Sequence, residues 1–395
     1  MQYKVRKTLP DSLARLGEVT TPSGKFNTPA FMPVGTQGAV KTLSPWELEE
    51  LDAEIILGNT YHLHIRPGEE LINNGGGLQK WSSWNKPILT DSGGYQAYSL
   101  GATRQNSAKT TDEGVKFSSH IDGKKLFFTP ESVLDIQHKL GSDIAMVLDD
   151  CPPIETDKAR VAIGVKRTSD WAKRSMDYWQ KQNYAFSKNS NETRALFGII
   201  QGGVHEDLRK VSLEAIQSLP FDGIAIGGVA IESEGKEKIN FAVDSIAQLL
   251  DKNRPHYLMG VGEPEDLIRM VHLGMDMFDC VIPTRFARHG AFWLKDGYKR
   301  VSIENSKYRD DFGPLDPDCS CKICKNFSRS YLRHLYVSGE TFALRALSYH
   351  NLALILGLMQ EIRESIESGQ FTNKYQRYLV HLKYGREEGR HSARS

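Results

Sequence analysis

The sequence predicts an α/β protein, a (β/α)8 TIM barrel with an inserted zinc-binding subdomain near the C-terminus. Eight short apolar runs end abruptly at polar or glycine-rich residues, amphipathic helical stretches separate most of them, and three cysteines crowd together late in the chain. Apolar runs of this length are typical of strands buried on both faces, and their alternation with helices indicates a parallel sheet. Eight strands favour a closed barrel. A doubly wound open sheet is the alternative, because a sequence cannot show closure.

The eight predicted strands follow one another along the chain. They are AFMPVGTQG from Ala30, AEIILGNTYH from Ala53, KPILTDSGG from Lys86, SDIAMVLDDC from Ser142, ALFGIIQGG from Ala195, DGIAIGGV from Asp222, PHYLMGVG from Pro255 and DMFDCVIPTR from Asp276. Helices are predicted at 44–51, 130–140, 206–219, 236–250 and 263–273. Two of them open with the capping signals Ser44-Pro45 and Thr129-Pro130.

The pattern changes after Arg285. We predict that residues 1–285 hold the barrel strands and helices with the catalytic face, and that 286–340 form the zinc-binding insertion. Helical periodicity resumes strongly at Phe342, so 341–371 is predicted as the long closing helix of the barrel. Residues 372–395 are predicted as a polar, partly frayed tail.

Composition excludes several classes of protein. Of 395 residues, 39% are apolar and 25% charged, which are globular values, so a disordered, collagen-like or coiled-coil chain is excluded. No apolar run approaches the roughly 20 residues of a membrane span, and the first residues lack the apolar core of a signal peptide. The five cysteines are odd in number and partly clustered, which favours a reducing compartment. We therefore expect a cytoplasmic protein with no membrane contact.

The cysteine cluster predicts a metal site. Cys319, Cys321 and Cys324 place three thiols within six residues, and one histidine would complete a tetrahedral Cys3His site for zinc. The fourth ligand is expected to be His350, with His334 as the competitor. Four protein ligands leave no open position, so the predicted zinc is structural.

Three aspartates end predicted strands, at the end of the barrel where active sites lie. Asp91, Asp149 and Asp279 are costly to bury there unless they are hydrogen-bonded or functional. Any one of them alone would suit a turn or helix cap, but three at one mouth indicate chemistry. One carboxylate would attack or stabilise positive charge and another would move protons, a pattern that suits a glycosidic carbon. The glycine pairs at 93–94, 202–203 and 227–228 would let a flat ligand approach the backbone. Tyr95 and Met259 could sandwich an aromatic ring or simply pack in the core.

One zone of the chain is basic. Residues 281–350 hold 12 Lys and Arg against 7 Asp and Glu, whereas the whole chain has a net charge of only +1. A basic zone beside a catalytic face suits a polyanion, although a solvated charged surface explains the same count.

Several motifs together resemble the tRNA-guanine transglycosylases over almost the whole chain. They are GNTYHL (58–63), TDSGGYQ (90–96), DDCPP (149–153), FGIIQGGV (197–204), YLMGVG (257–262), MFDCVIPTR (277–285) and CSCKIC with His350. The resemblance implies exchange of the wobble guanine 34 of GUN-anticodon tRNAs for a 7-deazaguanine base. It also implies partners, namely the tRNA anticodon loop and a second copy of the chain in a homodimer.

The resemblance assigns roles by position. It implies that Asp279 is the nucleophile that attacks ribose C1′ and that Asp91 is the general acid/base, with Asn59 beside it. It implies that Asp149, Gln201 and the Gly228 backbone bind guanine between Tyr95 and Met259. Arg285 and Arg288 correspond to residues near the anticodon loop, and Cys319, Cys321, Cys324 and His350 to ligands of one Zn2+ per subunit. Trp84, Phe327, Tyr331 and His334 resemble an aromatic cluster at the homodimer interface.

The incoming base is expected to be preQ1. Cys151 matches bacterial members of the family, and Ile231, which follows Val229 in the pocket loop, would close the space that queuine needs. The loop departs from the usual Leu-Ala-Val-Gly-Glu, however, because Ser233 stands where glutamate is expected, between Glu232 and Glu234. Queuine is therefore the alternative base. Further alternatives are a DNA-directed relative, a non-catalytic paralogue, which the presence of Asp91 and Asp279 opposes, and a zinc-containing TIM-barrel hydrolase.

Overall fold

Eight parallel strands close into a barrel. The structure, a computed structural model, describes residues 1–101, 108–152, 156–185, 193–229 and 236–379. The barrel strands pair in chain order, and the last pairs with the first. They are β4 (Ala30–Gly35), β5 (Ile56–Asn59), β6 (Ile88–Asp91), β10 (Ile144–Met146), β11 (Ala195–Ile200), β12 (Gly223–Ile226), β13 (His256–Leu258) and β14 (Met277–Cys280). Each lies in one of the eight predicted runs, so the (β/α)8 barrel is confirmed and the open sheet is excluded.

The register of the barrel brings the ends of neighbouring strands beside one another. Met277 pairs with Ala30 where the barrel closes, and Asn59 pairs with Asp91 at the ends of β5 and β6. Most strand residues are buried because side chains on one face fill the barrel and those on the other meet the helices. Side chains at the carboxyl ends of the strands therefore surround a single mouth.

Helices cover the outside of the barrel. They are α1 (Pro45–Glu50), α2 (Thr60–Ile65), α3 (Glu69–Asn74), α4 (Leu78–Ser82), α5 (Gly94–Gly101), α6 (Pro130–Leu140), α7 (Lys158–Gln182), α8 (Glu206–Gln217), α9 (Lys236–Asp244) and α10 (Pro264–His272). The helix α6 begins where the sequence predicts, since the Thr129 side chain accepts a hydrogen bond from the Ser132 N–H and Pro130 occupies the first turn. A 3-10 turn at Ala247–Leu249 replaces the end of the helix predicted over 236–250.

Two small antiparallel sheets are additions to the predicted barrel. One comprises β1 (Gln2–Thr8), β2 (Arg15–Thr21) and β3 (Gly24–Thr28), and the other β7 (Lys109–Thr110), β8 (Val115–Ser118) and β9 (Lys125–Phe128). The first sheet is joined to the barrel by Arg15, whose guanidinium forms a buried ion pair with Asp276 just before β14. It lies at the amino-terminal ends of the strands, opposite the mouth.

The C-terminal region contains α11 (Ile282–Arg288), β15 (Ala291–Trp293), β16 (Arg300–Ser302), α12 (Lys322–Asn326), α13 (Arg329–Val337), α14 (Thr341–Glu367) and α15 (Phe371–Leu379). By length and composition α14 could cross a membrane, but 72% of its most apolar 18-residue window is buried inside the protein, as in a core helix. The limits predicted at 285, 340 and 371 stay predictions.

The start of the predicted polar tail is a helix. Phe371, Tyr375 and Tyr378 bury their rings from α15, which packs on α10 and α14. The predicted polar tail therefore begins with a helix that ends at Leu379, because three aromatic rings at helical spacing supply an apolar face within a polar sequence. Residues 380–395 lie outside the described residues.

Candidate active site

Three carboxyl groups meet at the mouth of the barrel. Asp279 lies in β14, Asp91 ends β6, and Asp149 follows β10. Burial and, after it, the negative charges of Asp279 and Asp149 raise the pKa of Asp91 to about 7. This mutual effect indicates that the three groups share one poorly solvated space, as the strand-end pattern predicts.

Two donors hold one oxygen of Asp279. The Tyr257 hydroxyl donates to Oδ1 over 2.6 Å and the Gly260 N–H donates to the same oxygen over 2.8 Å. Within the described part of the chain, Oδ2 accepts no hydrogen bond. Burial raises the pKa of Asp279, while both hydrogen bonds oppose that rise by stabilising the carboxylate. The group is thus oriented through one oxygen and leaves the other for a ligand.

Asp91 is fixed from the neighbouring strand. Asn59 Nδ2 donates to Oδ2 over 2.6 Å, and the Thr60 N–H at the start of α2 donates to Oδ1 over 3.0 Å. Asn59 also caps α2 by accepting from the His62 N–H over 3.0 Å. A carboxyl group with a pKa of about 7 exchanges protons readily at neutral pH, which suits general acid and base chemistry.

Asp149 and Gln201 form a second polar pair. Gln201 Nε2 donates to Asp149 Oδ2 over 2.7 Å, and burial raises the pKa of Asp149 to about 6. The glycines at 227 and 228 lie against the Gln201 amide. A Cβ on Gly227 would lie 2.7 Å from Nε2, and a Cβ on Gly228 would lie 2.4 Å from Oε1. A side chain at either position would push the Gln201 amide away from Asp149, so glycine at both positions preserves this pair. Paired carboxylate and amide groups next to bare backbone can recognise a flat, polar ring.

A separate cluster near the C-terminus fits a metal ion. The ligand atoms of Cys319, Cys321, Cys324 and His350 all lie within 4.8 Å of one another. His350 Nδ1 is 3.3 Å from Cys324 Sγ, and its Nε2 lies 2.8 Å from the Trp293 carbonyl oxygen. That second contact makes Nε2 the protonated nitrogen and turns Nδ1 to the thiols. Three sulfurs and one nitrogen at these separations match a tetrahedral site.

A family model described as "Queuine tRNA-ribosyltransferase" matches residues 11–383. The chain belongs to this family. A queuine tRNA-ribosyltransferase from Lysinibacillus sphaericus is 47% identical over 378 residues, 95% of each chain. Those of Dictyoglomus turgidum and Lactococcus lactis subsp. cremoris are 48% and 49% identical, and each alignment covers 93% of this chain and 91% or 92% of the relative.

The structure places the other pocket residues predicted from the family resemblance around the same mouth. Tyr95 is half-exposed in the first turn of α5, and Met259 directly follows β13 and is partly buried. Burial raises the pKa of Cys151 to about 12, so its thiol is neutral beside Asp149. Val229 is buried after the glycine pair. Ile231, with Glu232, Ser233 and Glu234, lies outside the described residues.

The residues predicted to contact RNA lie on α11, the helix that follows β14. Arg285 is exposed there, and Arg288 is partly buried with its Nε donating to the Thr284 carbonyl over 3.2 Å. The structure brings together only part of the aromatic cluster predicted from the resemblance. Phe327 and Tyr331 stack with ring centroids 5.7 Å apart, and His334 is exposed. Trp84 is not part of this surface, because it is only 1% exposed and donates to the Pro87 carbonyl inside the protein.

The sequence does not predict two groups at the active site, the Tyr257 phenol and the Arg209 guanidinium. Tyr257 stands in an apolar strand run, where a tyrosine usually packs, and its contact with Asp279 requires the register between β13 and β14. Arg209 lies on a helix whose pattern predicts a solvated arginine, yet it is fully buried against the loops after β11 and β12. The sequence holds no signal for either contact.

Proposed function

We propose that this chain is a tRNA-guanine transglycosylase that replaces guanine 34 of GUN-anticodon tRNAs with preQ1 through an aspartyl-ribose intermediate. The observation that carries the proposal is the environment of Asp279, one oxygen of which is fixed by two donors while the other is open beside a carboxyl group with a pKa of about 7. Family membership supports the same activity.

The two carboxyl groups at the mouth divide the chemistry. Asp279 Oδ2 attacks ribose C1′ as the bond from C1′ to guanine N9 breaks, and Asp91 gives its proton to the departing base. The incoming base then returns a proton to Asp91, its nitrogen bonds to C1′, and the Asp279 carboxylate leaves. A covalent intermediate lets one pocket serve both bases in turn. The target guanine must leave the stack to reach the barrel mouth, which costs little in a single-stranded loop.

The second polar pair would select guanine. The Asp149 carboxylate suits the N1–H and N2–H2 groups, whereas the Gln201 amide and the Gly228 N–H suit O6. Tyr95 and Met259 would cover the two faces of the ring. A pyrimidine would leave these groups without partners, and unpaired buried polar groups are costly.

Several finer features belong to the same proposal. The cysteine cluster would hold one Zn2+ with a structural role, because its four ligands leave no open position. Arg285 and Arg288 would contact the anticodon loop from α11, and the stacked rings of Phe327 and Tyr331 would contribute to a homodimer interface. The enzyme would act in the cytoplasm, on tRNA.

Queuine is the second candidate base. Ser233 stands where family members using preQ1 carry glutamate, and the relatives are named for queuine. Cys151 and Ile231 favour preQ1, since a bulky isoleucine would fill the space that the cyclopentenediol of queuine requires.

The deciding experiment offers preQ1, queuine and labelled guanine in parallel to a tRNA with a G34-U35 anticodon, with Asp279→Asn as control. We expect incorporation that depends on Asp279, with preQ1 preferred. Preference for queuine would correct the substrate alone. Absence of incorporation by folded, zinc-loaded protein would contradict the proposed activity and favour a DNA-directed or non-catalytic protein, which binding to tRNA and to duplex DNA at several salt concentrations would separate.

A further inference from the structure

A buried arginine joins the two glycine loops beneath the proposed base pocket. Arg209 projects from α8 and is 0% exposed. Its Nε donates to the Gly203 carbonyl over 2.9 Å, and Nη1 donates to the Gly227 carbonyl over 2.8 Å. Longer bonds run to the carbonyls of Ile200, at 3.3 Å, and Gly228, at 3.4 Å. Among the described residues, no carboxylate forms an ion pair with this guanidinium.

These contacts fix the direction of two peptide groups. In a trans peptide the C=O and N–H bonds point in opposite directions. Because the Gly227 carbonyl faces Arg209, the N–H of Gly228 points away from the guanidinium. The Gly228 carbonyl likewise faces Arg209, so the N–H of Val229 points the same way.

The loop has little freedom to turn these peptides. Gly228 has a φ of +68°, and a Cβ there would lie 2.4 Å from Gln201 Oε1. Arg209 closes the other side of the loop through its hydrogen bonds to the Gly227 and Gly228 carbonyls. The glycine pair is therefore held between the Gln201 amide and the Arg209 guanidinium.

We propose that Arg209 is a positioning residue that aims the N–H groups of Gly228 and Val229 at the O6 atom of the purine. The inference rests on the proposed function, since it assumes a guanine in the pocket. A cation bonded to the carbonyl end of each peptide also polarises its N–H end, so the pair of donors is strengthened toward the negative charge that develops on O6 when the base leaves. Catalysis gains most from donors that are already fixed before the charge appears.

The test compares two bases that differ at one atom. 6-Thioguanine keeps the N1–H and N2–H2 groups of guanine but presents a sulfur, a weak acceptor, at position 6. Equilibrium dialysis of each base with the full-length, zinc-loaded protein gives the ratio of the two affinities. We expect the wild-type protein to prefer guanine about tenfold, as one good hydrogen bond provides, and Arg209→Gln to bring the ratio close to one.

A matched control is available at the opposite end of the barrel. Arg254 donates to the carbonyls of Leu219 and Gln217 over 3.0 and 3.2 Å, so it also braces backbone, but before the start of β13. Arg254→Gln should leave the affinity ratio at the wild-type value. If Arg209→Gln weakens both bases equally, or neither, Arg209 has no special relation to position 6 and the inference is wrong.

Two further measurements distinguish a failure of this inference from a folding defect and from a failure of the proposed function. Arg209→Lys keeps a charge but cannot donate to four carbonyls, so the ratio should fall at least threefold even where the glutamine variant does not fold. An unchanged ratio in the lysine variant overturns the inference. Wild-type protein that binds neither base contradicts the guanine pocket itself, whereas wild-type preference for guanine with an insensitive Arg209 leaves the proposed function intact.

Discussion

The Tyr257 hydroxyl donates a 2.6 Å hydrogen bond to Oδ1 of Asp279 from the adjacent barrel strand. Burial and the charges of Asp279 and Asp91 raise the pKa of Tyr257 well above 10, so the phenol stays protonated and remains a donor. The bond lowers the pKa of Asp279 against the effect of burial. Tyr257 thus favours the ionised form of a buried carboxyl group and leaves its second oxygen available at the mouth.

Replacing Tyr257 by phenylalanine should impair the reaction most at low pH. Without the phenol the pKa of Asp279 rises, so the carboxylate is lost at a higher pH and the acid side of the kcat profile shifts upward. We expect kcat at neutral pH to fall about tenfold, the effect of one hydrogen bond to a charged group. Tyr178→Phe, which removes a phenol from Asp135 outside the site, should have the wild-type profile. Superimposable profiles for both variants would refute the role of Tyr257.

Asp279→Asn should abolish base exchange and leave the fold and tRNA affinity largely intact. The amide nitrogen or oxygen can occupy the same space but cannot attack ribose C1′. Denaturing electrophoresis of wild-type protein with tRNA should show a covalent complex that the variant lacks, and a melting curve should confirm folding. Near-normal turnover by the variant would contradict the assignment of Asp279 as nucleophile.

Asp91→Asn should stabilise the free protein above neutral pH. The pKa of Asp91 is about 7 in the folded protein against 3.8 ordinarily, so folding favours the neutral acid. Its contribution to stability is complete below about pH 4 and is lost as the pH rises through 7. The neutral amide avoids this loss, and at about 1.4 kcal/mol per pKa unit we expect a gain of roughly 1–4 kcal/mol at pH 8 that fades at pH 4.

Thermal melting of the two proteins at pH 4, 6 and 8 measures this difference. Asp170→Asn, which alters a carboxylate that is 62% exposed on α7, serves as the control and should show little pH-dependent gain. A gain that is equal at all three pH values would mean that the Asp91 charge is not the cause. The stabilised variant should at the same time lose exchange activity, since it cannot move a proton.

Much of this architecture can be predicted from the sequence, because a strand buried on both faces appears as a continuous apolar run. All eight barrel strands are apolar runs that end at Asp, Asn, Gln or Gly, and the side chains and glycines at these ends form the mouth of the barrel. The strand β1 has no such apolar run, because its residues alternate between exposed and partly buried. Short strands of this kind resemble loops until their partners are known.

The missing parts of the site depend on long-range contacts. Asp91 and Asp279 could be placed at one mouth from strand order, but the pKa of either depends on the packing around it. Arginine is usually exposed on a helix, so the sequence around Arg209 does not predict its burial. Only the fold shows that four backbone carbonyls of two loops surround its guanidinium. Trp84 is the opposite case. The family resemblance predicts its ring at a homodimer interface, but the ring is buried inside a single chain.

Ile231→Gly should improve the use of queuine relative to preQ1. The expectation comes from the sequence, since Ile231 occupies the position where family members using queuine carry glycine, two residues beyond the buried Val229. Removing a four-carbon side chain should open room for the cyclopentenediol and raise the ratio of kcat/KM values, queuine over preQ1, about tenfold or more. An unchanged ratio would remove Ile231 from the determinants of specificity.

The residue that follows His350 connects the metal cluster to α11, the helix that carries the proposed RNA contacts. The next residue, Asn351, donates to the carbonyls of Pro283 and Ala291 over 3.0 and 3.1 Å and accepts from the Trp293 N–H over 3.2 Å. Pro283 lies in the first turn of α11. Collapse of the metal site would therefore release α11 more directly than the barrel mouth.

His350→Ala should accordingly lose bound zinc, melt at a lower temperature and bind tRNA more weakly, while its affinity for free guanine changes little. His334→Ala is the matched control, because this exposed histidine on α13 lies in the same region without joining the cluster. Metal content by atomic emission, thermal melting, and separate binding assays for tRNA and guanine measure the four quantities. Full zinc content in the His350 variant would refute the site. Equal losses of tRNA and guanine affinity would show that the metal supports the barrel as a whole, since an effect confined to α11 cannot reach the base pocket.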